Sequence, residues 1–283
     1  NLSLREKDEL SGQPAGGGPT AFVDIHSHVL PGVDDGAVDE EQSVAMMEMA
    51  RRHGTSMLVA SPHANLFYAY DPSRVERLIG RLQARAPSGL SLIRGCDFHL
   101  TFHNVEKALR SPAGFAINGR CYLLMELSEL TVFANTDSLW GRLEEAGLRI
   151  ILTHPERNGL LRQRMEVIER WVESGRYMQV TAGSLLGHFG AEAQRFSARM
   201  LEAGLVHFVA SDAHDLWHRP PRLDEAYAWL ARRYSEEFAA RLTMENPLAA
   251  VEGRPLPAGR LAPPKRATRP PWWRRLAGRG SEA

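Results

Sequence analysis

Short apolar runs alternate along this chain with longer stretches in which apolar residues recur at helical spacing. The runs are Ala21-Phe22-Val23 leading into Asp24–His28, then Ser56–Ala60, Leu90–Arg94, Cys121–Met125, Leu148–Thr153, Tyr177–Thr181 and Val206–Ala210. Between them the spacing predicts helices over about Asp39–His53, Pro72–Ala86, His103–Arg110, Thr136–Ala146, Arg162–Glu173 and Ala191–Glu202, and two more near 222–233 and 235–242. In the first helix Val44, Met47 and Ala50 share one side and Gly54 supplies the stop. Strands that are apolar almost throughout are buried on both faces, as in a parallel sheet covered by helices.

Strict strand–helix alternation makes the fold class α/β. A closed or nearly closed parallel barrel accounts for it best, and an open doubly wound sheet is the alternative. One domain is expected over residues 21–253. Residues 1–20, with Gly16-Gly17-Gly18-Pro19, read as a disordered leader, and residues 254–283 as a tail rich in Pro and Arg.

Composition narrows the picture by exclusion. The chain has 283 residues, is 43% hydrophobic and 24% charged, and has a formal net charge of zero, so it offers no electrostatic case for nucleic acid. Two cysteines, Cys96 and Cys121, make no disulfide framework, which fits a reducing, cytoplasmic setting. No apolar run approaches the roughly 20 residues of a membrane span. In the tail, Arg260, Lys265, Arg266, Arg269, Arg274, Arg275 and Arg279 surround Trp272 and Trp273. That mixture suits peripheral contact with an anionic membrane, although a disordered solubilising tail has the same composition.

The chemistry lies at the strand ends. In a strand, residues two apart share a face, so His26 and His28 project together, half of a metal site. Asp35 sits in the following loop. His63 ends the second strand, Asp97 the third, Glu126 the fourth and His154 the fifth; Asp212 and His214 end the seventh. In a parallel barrel these ends share one face, where active sites are built. So many nitrogen and oxygen donors exceed the needs of one ion and suit two or three Mn, Fe or Zn ions, with Glu126 as the expected bridge.

Arg157 and Arg219 follow ligand-bearing strand ends, and a guanidinium fork matches a phosphoryl group. His53, in a last helical turn, and His207, inside a strand, read as structural. His188 could touch substrate, and His99 and His103 could rim the pocket. A cysteine phosphatase needs Arg six residues after its Cys, but Phe102 and Leu127 hold those places. A metal barrel bridged by a modified lysine is excluded too, because none of Lys7, Lys107 and Lys265 lies near the fourth strand end.

Asp24-Ile25-His26-Ser27-His28, Val33-Asp34-Asp35-Gly36, Ser61-Pro62-His63, His154-Pro155-Glu156-Arg157 and Ser211-Asp212-Ala213-His214 resemble the PHP (polymerase and histidinol phosphatase) superfamily. More narrowly, Leu30–Gly36, Gln179–Gly187, Gly204–His214, Arg219-Pro220-Pro221 and Glu245-Asn246-Pro247 resemble the bacterial manganese-dependent protein-tyrosine phosphatases of capsule and exopolysaccharide loci. The resemblance covers roughly residues 22–253. It implies a distorted (β/α)7 barrel and a three-metal site, usually Mn2+. His26, His28, Asp35, His63, Glu126, His154, Asp212 and His214 would be ligands, and Arg157 and Arg219 would engage phosphate. One departure stands out: Gly95-Cys96-Asp97 replaces the usual Gly-Gln-Glu, so the ligand there is one methylene shorter.

The expected activity is hydrolysis of phosphotyrosine in proteins. The resemblance points to a membrane-associated bacterial tyrosine kinase of polysaccharide export as the partner. The alternatives are a small-molecule phosphatase of the histidinol-phosphate type on the same metal site, and a non-catalytic regulator that binds a kinase tail.

Overall fold

The computed structural model describes residues 21–128 and 135–264. The leader, residues 1–20, and the tail residues 265–283 with Trp272 and Trp273 lie outside the described residues.

The strands are β1 (Phe22–Ser27), β2 (Thr55–Ala60), β3 (His63–Ala64), β4 (Ser91–Arg94), β5 (Asp97–His99), β6 (Tyr122–Glu126), β7 (Arg149–Thr153), β8 (Tyr177–Thr181) and β9 (Phe208–Ala210). Every pairing is parallel, in two sheets ordered β1-β2-β4 and β3-β5-β6-β7-β8-β9. The expected second and third strands form as β2 and β4, and His63 and Asp97, expected to end them, instead open the short strands β3 and β5 of the other sheet. Pro62 has no N–H for a ladder, and the chain bends at Gly95, where a Cβ would lie 2.5 Å from Val59 Cγ1. Backbone bonds carry the chain across the break: Gly95 N donates to Ala60 O at 2.9 Å and Asp97 N to Pro62 O at 3.1 Å.

The other seam closes on β1. Ser27 bridges Ala213, Asp212 N donates to His26 O at 2.9 Å, and His28 N donates to Ala213 O at 2.8 Å. The parallel strands thus return on themselves as a distorted barrel.

Two cores follow from the period-2 alternation of the strands. Val23, Ile25, Tyr122, Leu124, Ile151, Tyr177 and Phe208 pack together as one cluster. Their sequence neighbours Phe22, Leu123, Met125, Ile150, Leu152, Met178 and Val209 belong to the larger cluster, which includes the apolar faces of the helices. The helix over Glu40–Arg52 shows why these segments are helical. Asp39 caps it, accepting from Gln42 N at 2.8 Å, and Met46, Met47 and Ala50 are buried while Val44 is only partly so. The helix over Pro72–Gln83 is capped by Asp71 and starts on Pro72, and the one over Phe102–Arg110 is capped by Thr101.

Beyond Gly253 the chain continues as a strap against the starts of the strands, on the tail side of the boundary expected there. Tyr122 Oη donates to Arg254 O at 2.8 Å, and Tyr177 Oη to Leu256 O at 2.9 Å. His207 Nε2 lies 2.9 Å from Gly259 O, and Leu261 N donates to Gly204 O at 2.7 Å. His207 precedes β9 rather than lying within a strand, and its buried ring locks the strap to Met178 N through Nδ1 at 3.2 Å.

Candidate metal centre

Because all strands run in parallel, their C-terminal ends deliver side chains to one face. β1 carries an irregular register between Asp24 and Ser27, which lets Ile25 join the interior core while its neighbour His26 reaches the polar site. Asp24, fully buried, accepts from Ser211 N at 3.0 Å and His26 N at 3.3 Å and so ties β1 to the end of β9. Burial, only partly offset by the bonds from Ser211, pushes its carboxyl up to about 6.

All nine expected ligands converge. His28, Asp35, His63 and His214 place one donor atom each within 4.8 Å of one another; His63, Asp97, His99 and Glu126 form a second such group, and His26, His28 and Asp97 a third. Asp212 adjoins them, with Oδ1 3.4 Å from Nε2 of both His26 and His28. His154 Nε2 lies 3.7 Å from Glu126 Oε1. Asp97 is shared between two groups. Glu126 spans the site differently, with Oε2 toward His63 and His99 and Oε1 toward His154.

His154 and Asp212 have φ of 33° and 54°, left-handed backbone that is uncommon outside glycine. Such strain at two strand ends is characteristic of functional sites.

The residues fit metal ions. His63 Nδ1, both oxygens of Asp97, Glu126 Oε2 and His214 Nε2 are buried with no hydrogen-bond partner. Unpaired buried polar atoms are costly, so so many in one place implies a common partner. His63 Nδ1 and Asp97 Oδ2 approach to 2.8 Å without the directional geometry of a hydrogen bond, as two donors aimed at a shared point do. Mixed imidazole and carboxylate donors without thiolate suit Mn, Fe or Zn.

Three of the rings are oriented from behind, as metal-bound histidines generally are. His26 Nδ1 lies 2.9 Å from Gln179 Oε1, His28 Nδ1 2.7 Å from Asp34 Oδ2, and His214 Nδ1 3.0 Å from Asp212 O. Asp34 also accepts from Gly36 N at 3.0 Å and His63 N at 3.1 Å, so one carboxylate shapes the loop and two ligand positions.

The electrostatics follow from the crowding. Burial opposes charge on His28, but Asp34 and Asp212 outweigh it and lift the ring to about 9. Burial likewise opposes charge on His63, which Asp35 and Asp97 raise to about 11. Burial and Arg157 hold His154 well below the usual imidazole range, and burial and His28 lower His214. Burial and the neighbouring Asp97 raise Glu126.

The two expected phosphate-facing arginines come together on one oxygen. Arg157 Nη1 donates to Asp212 Oδ2 at 2.5 Å, and Arg219 Nη2 contacts the same atom. Both guanidinium groups lie over Phe189, at 4.6 Å and 5.8 Å from its centroid. Arg219 Nε is buried without a partner. Beside them a cleft of about 260 Å³ is bordered by His188, Phe189, Ser211, Trp217 and His218. His53 is remote, bonding Asp224 Oδ2 at 3.0 Å from the end of its helix.

Sequence reasoning passed over Asp34, Gln179 and Phe189, and gave His99 only a rim position. Gln179 lay open to the rule of two, since it shares a face with Tyr177 and Thr181. Phe189 and Asp34 had no such signal, because loop geometry places them.

The family model described as "Capsular polysaccharide synthesis, CpsB/CapC" matches residues 22–252. The chain is 34% identical over 226 residues to the tyrosine-protein phosphatase YwqE of Bacillus subtilis, covering 78% of this chain and 89% of that one. It is 31% identical to the putative tyrosine-protein phosphatase CapC of Staphylococcus aureus, covering 73% and 82%. Among solved structures it resembles, with a TM-score of 0.79 and 32% identity over 87% of this chain and 100% of that one, a chain from the crystal structures of YwqE from Bacillus subtilis and CpsB from Streptococcus pneumoniae, described as unique metal-dependent tyrosine phosphatases. A β-aspartyl dipeptidase from Fervidobacterium islandicum shares the fold alone, with a TM-score of 0.51 and 13% identity over 86% of this chain and 77% of that one. Matched over nearly all of its barrel, the chain belongs to the CpsB/CapC family of capsular polysaccharide synthesis.

Proposed function

We propose that this protein is a metal-dependent phosphatase that removes phosphate from tyrosine residues of proteins, with Mn2+ as its ion. The observation that carries the reading is the convergence of a His and carboxylate cluster with two arginines on Asp212. His26, His28, Asp35, His63, Asp97, Glu126, His154, Asp212 and His214 would hold two or three ions. When bound, such ions activate water and neutralise phosphoryl charge.

The chain's own groups do the rest. Two guanidinium groups converge on Asp212 Oδ2 beside the donor cluster, where their forks match a phosphoryl group. Arg219 Nε, buried and unpartnered, is a ready donor to one of its oxygens. Both forks lie over the ring of Phe189, whose face attracts their charge. Asp34 and Gln179 fix the rings that must stay in place while substrate enters. A phenol leaving group, with a pKa of about 10, needs less protonation than an alkyl alkoxide, so the site needs no imidazole reserved for that step.

The partner reading is a membrane-associated tyrosine kinase of polysaccharide export, met in the cytoplasm. The relatives' names support a phosphotyrosine substrate, and the family a capsular setting. Residues 21–253 carry the chemistry in this reading, and the basic Trp272-Trp273 tail supplies peripheral membrane contact. Sedimentation of full-length and tail-deleted protein with anionic liposomes tests the last point: equal, negligible binding by both ends it. The central test is phosphate release from phosphotyrosine peptides, with phosphoserine peptides and alkyl phosphates as controls. Mn2+ should support turnover and a strong chelator should abolish it. Comparable turnover after complete metal removal overturns the reading.

A further inference from the structure

Three strand ends in this barrel carry chemistry-bearing residues two apart: His26 and His28, Asp212 and His214, and Asp97 and His99. In β5 that spacing puts Asp97 and His99 on one face of the strand. For the first two pairs both members enter the metal centre. The third pair extends this pattern through His99.

β5 is held so that His99 faces the same group as Asp97. In the ladder His63 stands opposite Asp97, and His99 opposite Glu126. Asn104 pins the strand end, its Nδ2 donating to His99 O at 3.0 Å and to Ala64 O at 2.7 Å. From there His99 Nε2 meets Glu126 Oε2, and the rings of His63 and His99 stand edge-on at 5.7 Å. His63 Nδ1 lies 3.5 Å from the same Glu126 oxygen and 2.8 Å from Asp97 Oδ2.

An alternative role for His99 is to donate a hydrogen bond that positions Glu126. The geometry speaks against it, because Glu126 Oε2 is buried yet lacks a hydrogen-bond partner of good direction. The nitrogen and the oxygen belong instead to one group of donor atoms with His63 and Asp97, all within 4.8 Å of one another. Donor counting agrees. His63 and Asp97 each belong to two of the three donor groups, whereas His99 belongs to this group alone. Shared donors leave an ion short of the four to six it needs, and an unshared imidazole makes up the count.

We propose that His99 is the terminal imidazole ligand of one metal ion, held together with His63, Asp97 and Glu126. The assignment rests on the reading of this face as a metal centre.

Metal content of the Mn2+-loaded full-length chain, without substrate, tests it. His99→Ala should lose one ion per chain on desalting. His99→Asp should retain the ion, because an ionised carboxylate is an oxygen donor. A positioning role gives the opposite order. Asn, which can donate to Glu126, would then rescue, and Asp, which accepts only and repels Glu126, would be worst. That order, or unchanged metal content in His99→Ala, overturns the assignment. Should the Ala variant misfold, pulsed electron paramagnetic resonance on Mn2+-loaded wild type and His99→Asp decides. One coordinated imidazole nitrogen should disappear, and an unchanged count refutes the proposal. A protein that binds its full complement of metal but leaves phosphotyrosine intact would overturn the proposed function and leave this ligand in place.

Discussion

Arg157 donates to Asp212 through Nη1 at 2.5 Å, and it does so against the carboxylate whose other oxygen faces His26 and His28. One acid therefore couples both guanidinium forks to the candidate metal centre. Burial opposes its ionisation, but His26 and Arg219 hold its carboxyl well below the ordinary range.

Removing Arg157 should consequently cost turnover more than metal. We expect Arg157→Ala to lower kcat/KM on a phosphotyrosine peptide by about a hundredfold, the usual effect of deleting one preorganised charge-stabilising donor. Bound Mn2+ per chain should be unchanged, since Arg219 still neutralises Asp212. Arg157→Lys should recover only part of the loss, because an ammonium lacks the planar fork. Steady-state kinetics beside metal analysis check both statements; a large fall in metal content would mean that Arg157 supports the cluster instead.

Metal should hold the fold as well as the chemistry. An ion bound to the native state alone, at a hundred times its Kd, adds about 2.7 kcal/mol of stability. Thermal unfolding should therefore shift upward with added Mn2+ and downward with chelator. A melting temperature indifferent to both would show that the unpartnered atoms of His63, Asp97, Glu126 and His214 are satisfied without an ion.

Acid should displace the metal, and the sign follows from two histidines. In the metal-free protein His28 titrates at about 9 and His63 at about 11, so both rings are protonated at neutral pH. An imidazolium has no lone pair for a metal, so each ring must release a proton on binding. Raising the pH toward these values removes that competition and strengthens binding, and lowering it weakens binding. His154 and His214, both shifted downward, are already neutral and release nothing. Titration calorimetry in buffers of differing ionisation enthalpy should show proton release at pH 7, shrinking as the pH rises. No release at pH 7 would contradict this electrostatic account.

Asp34 orients a ligand without being one. Asp34→Ala removes the acceptor behind His28 and frees Gly36 N and His63 N. Metal affinity should fall roughly ten- to a hundredfold, the usual cost of losing such a support. Gln179→Ala should act in the same direction through His26. Competition with a calibrated chelator measures both, and wild-type affinity in the two variants would assign the support elsewhere.

How much of this was legible in the chain depends on the range of the force involved. The barrel's strands and helices were, because burial on both faces leaves near-continuous apolar runs and helices leave their own period. Seven of the nine expected ligand positions and both arginines were carried by motifs such as His26-Ser27-His28, and Glu126 and Asp97 by their places at the ends of strands. What only the tertiary structure decided are relations between distant segments. The step from β4 to β5 brings Gly95 against Val59, and the strap beyond Gly253 rests on hydroxyls of Tyr122 and Tyr177. The stacking of Arg157 and Arg219 on Phe189, and the approach of His99 to Glu126, likewise join residues that share no local pattern. Hydrophobic periodicity acts within one element and so is written in sequence. Hydrogen bonds, ring contacts and metal donors act over a few ångströms in space, and only the closed barrel brings those atoms within reach.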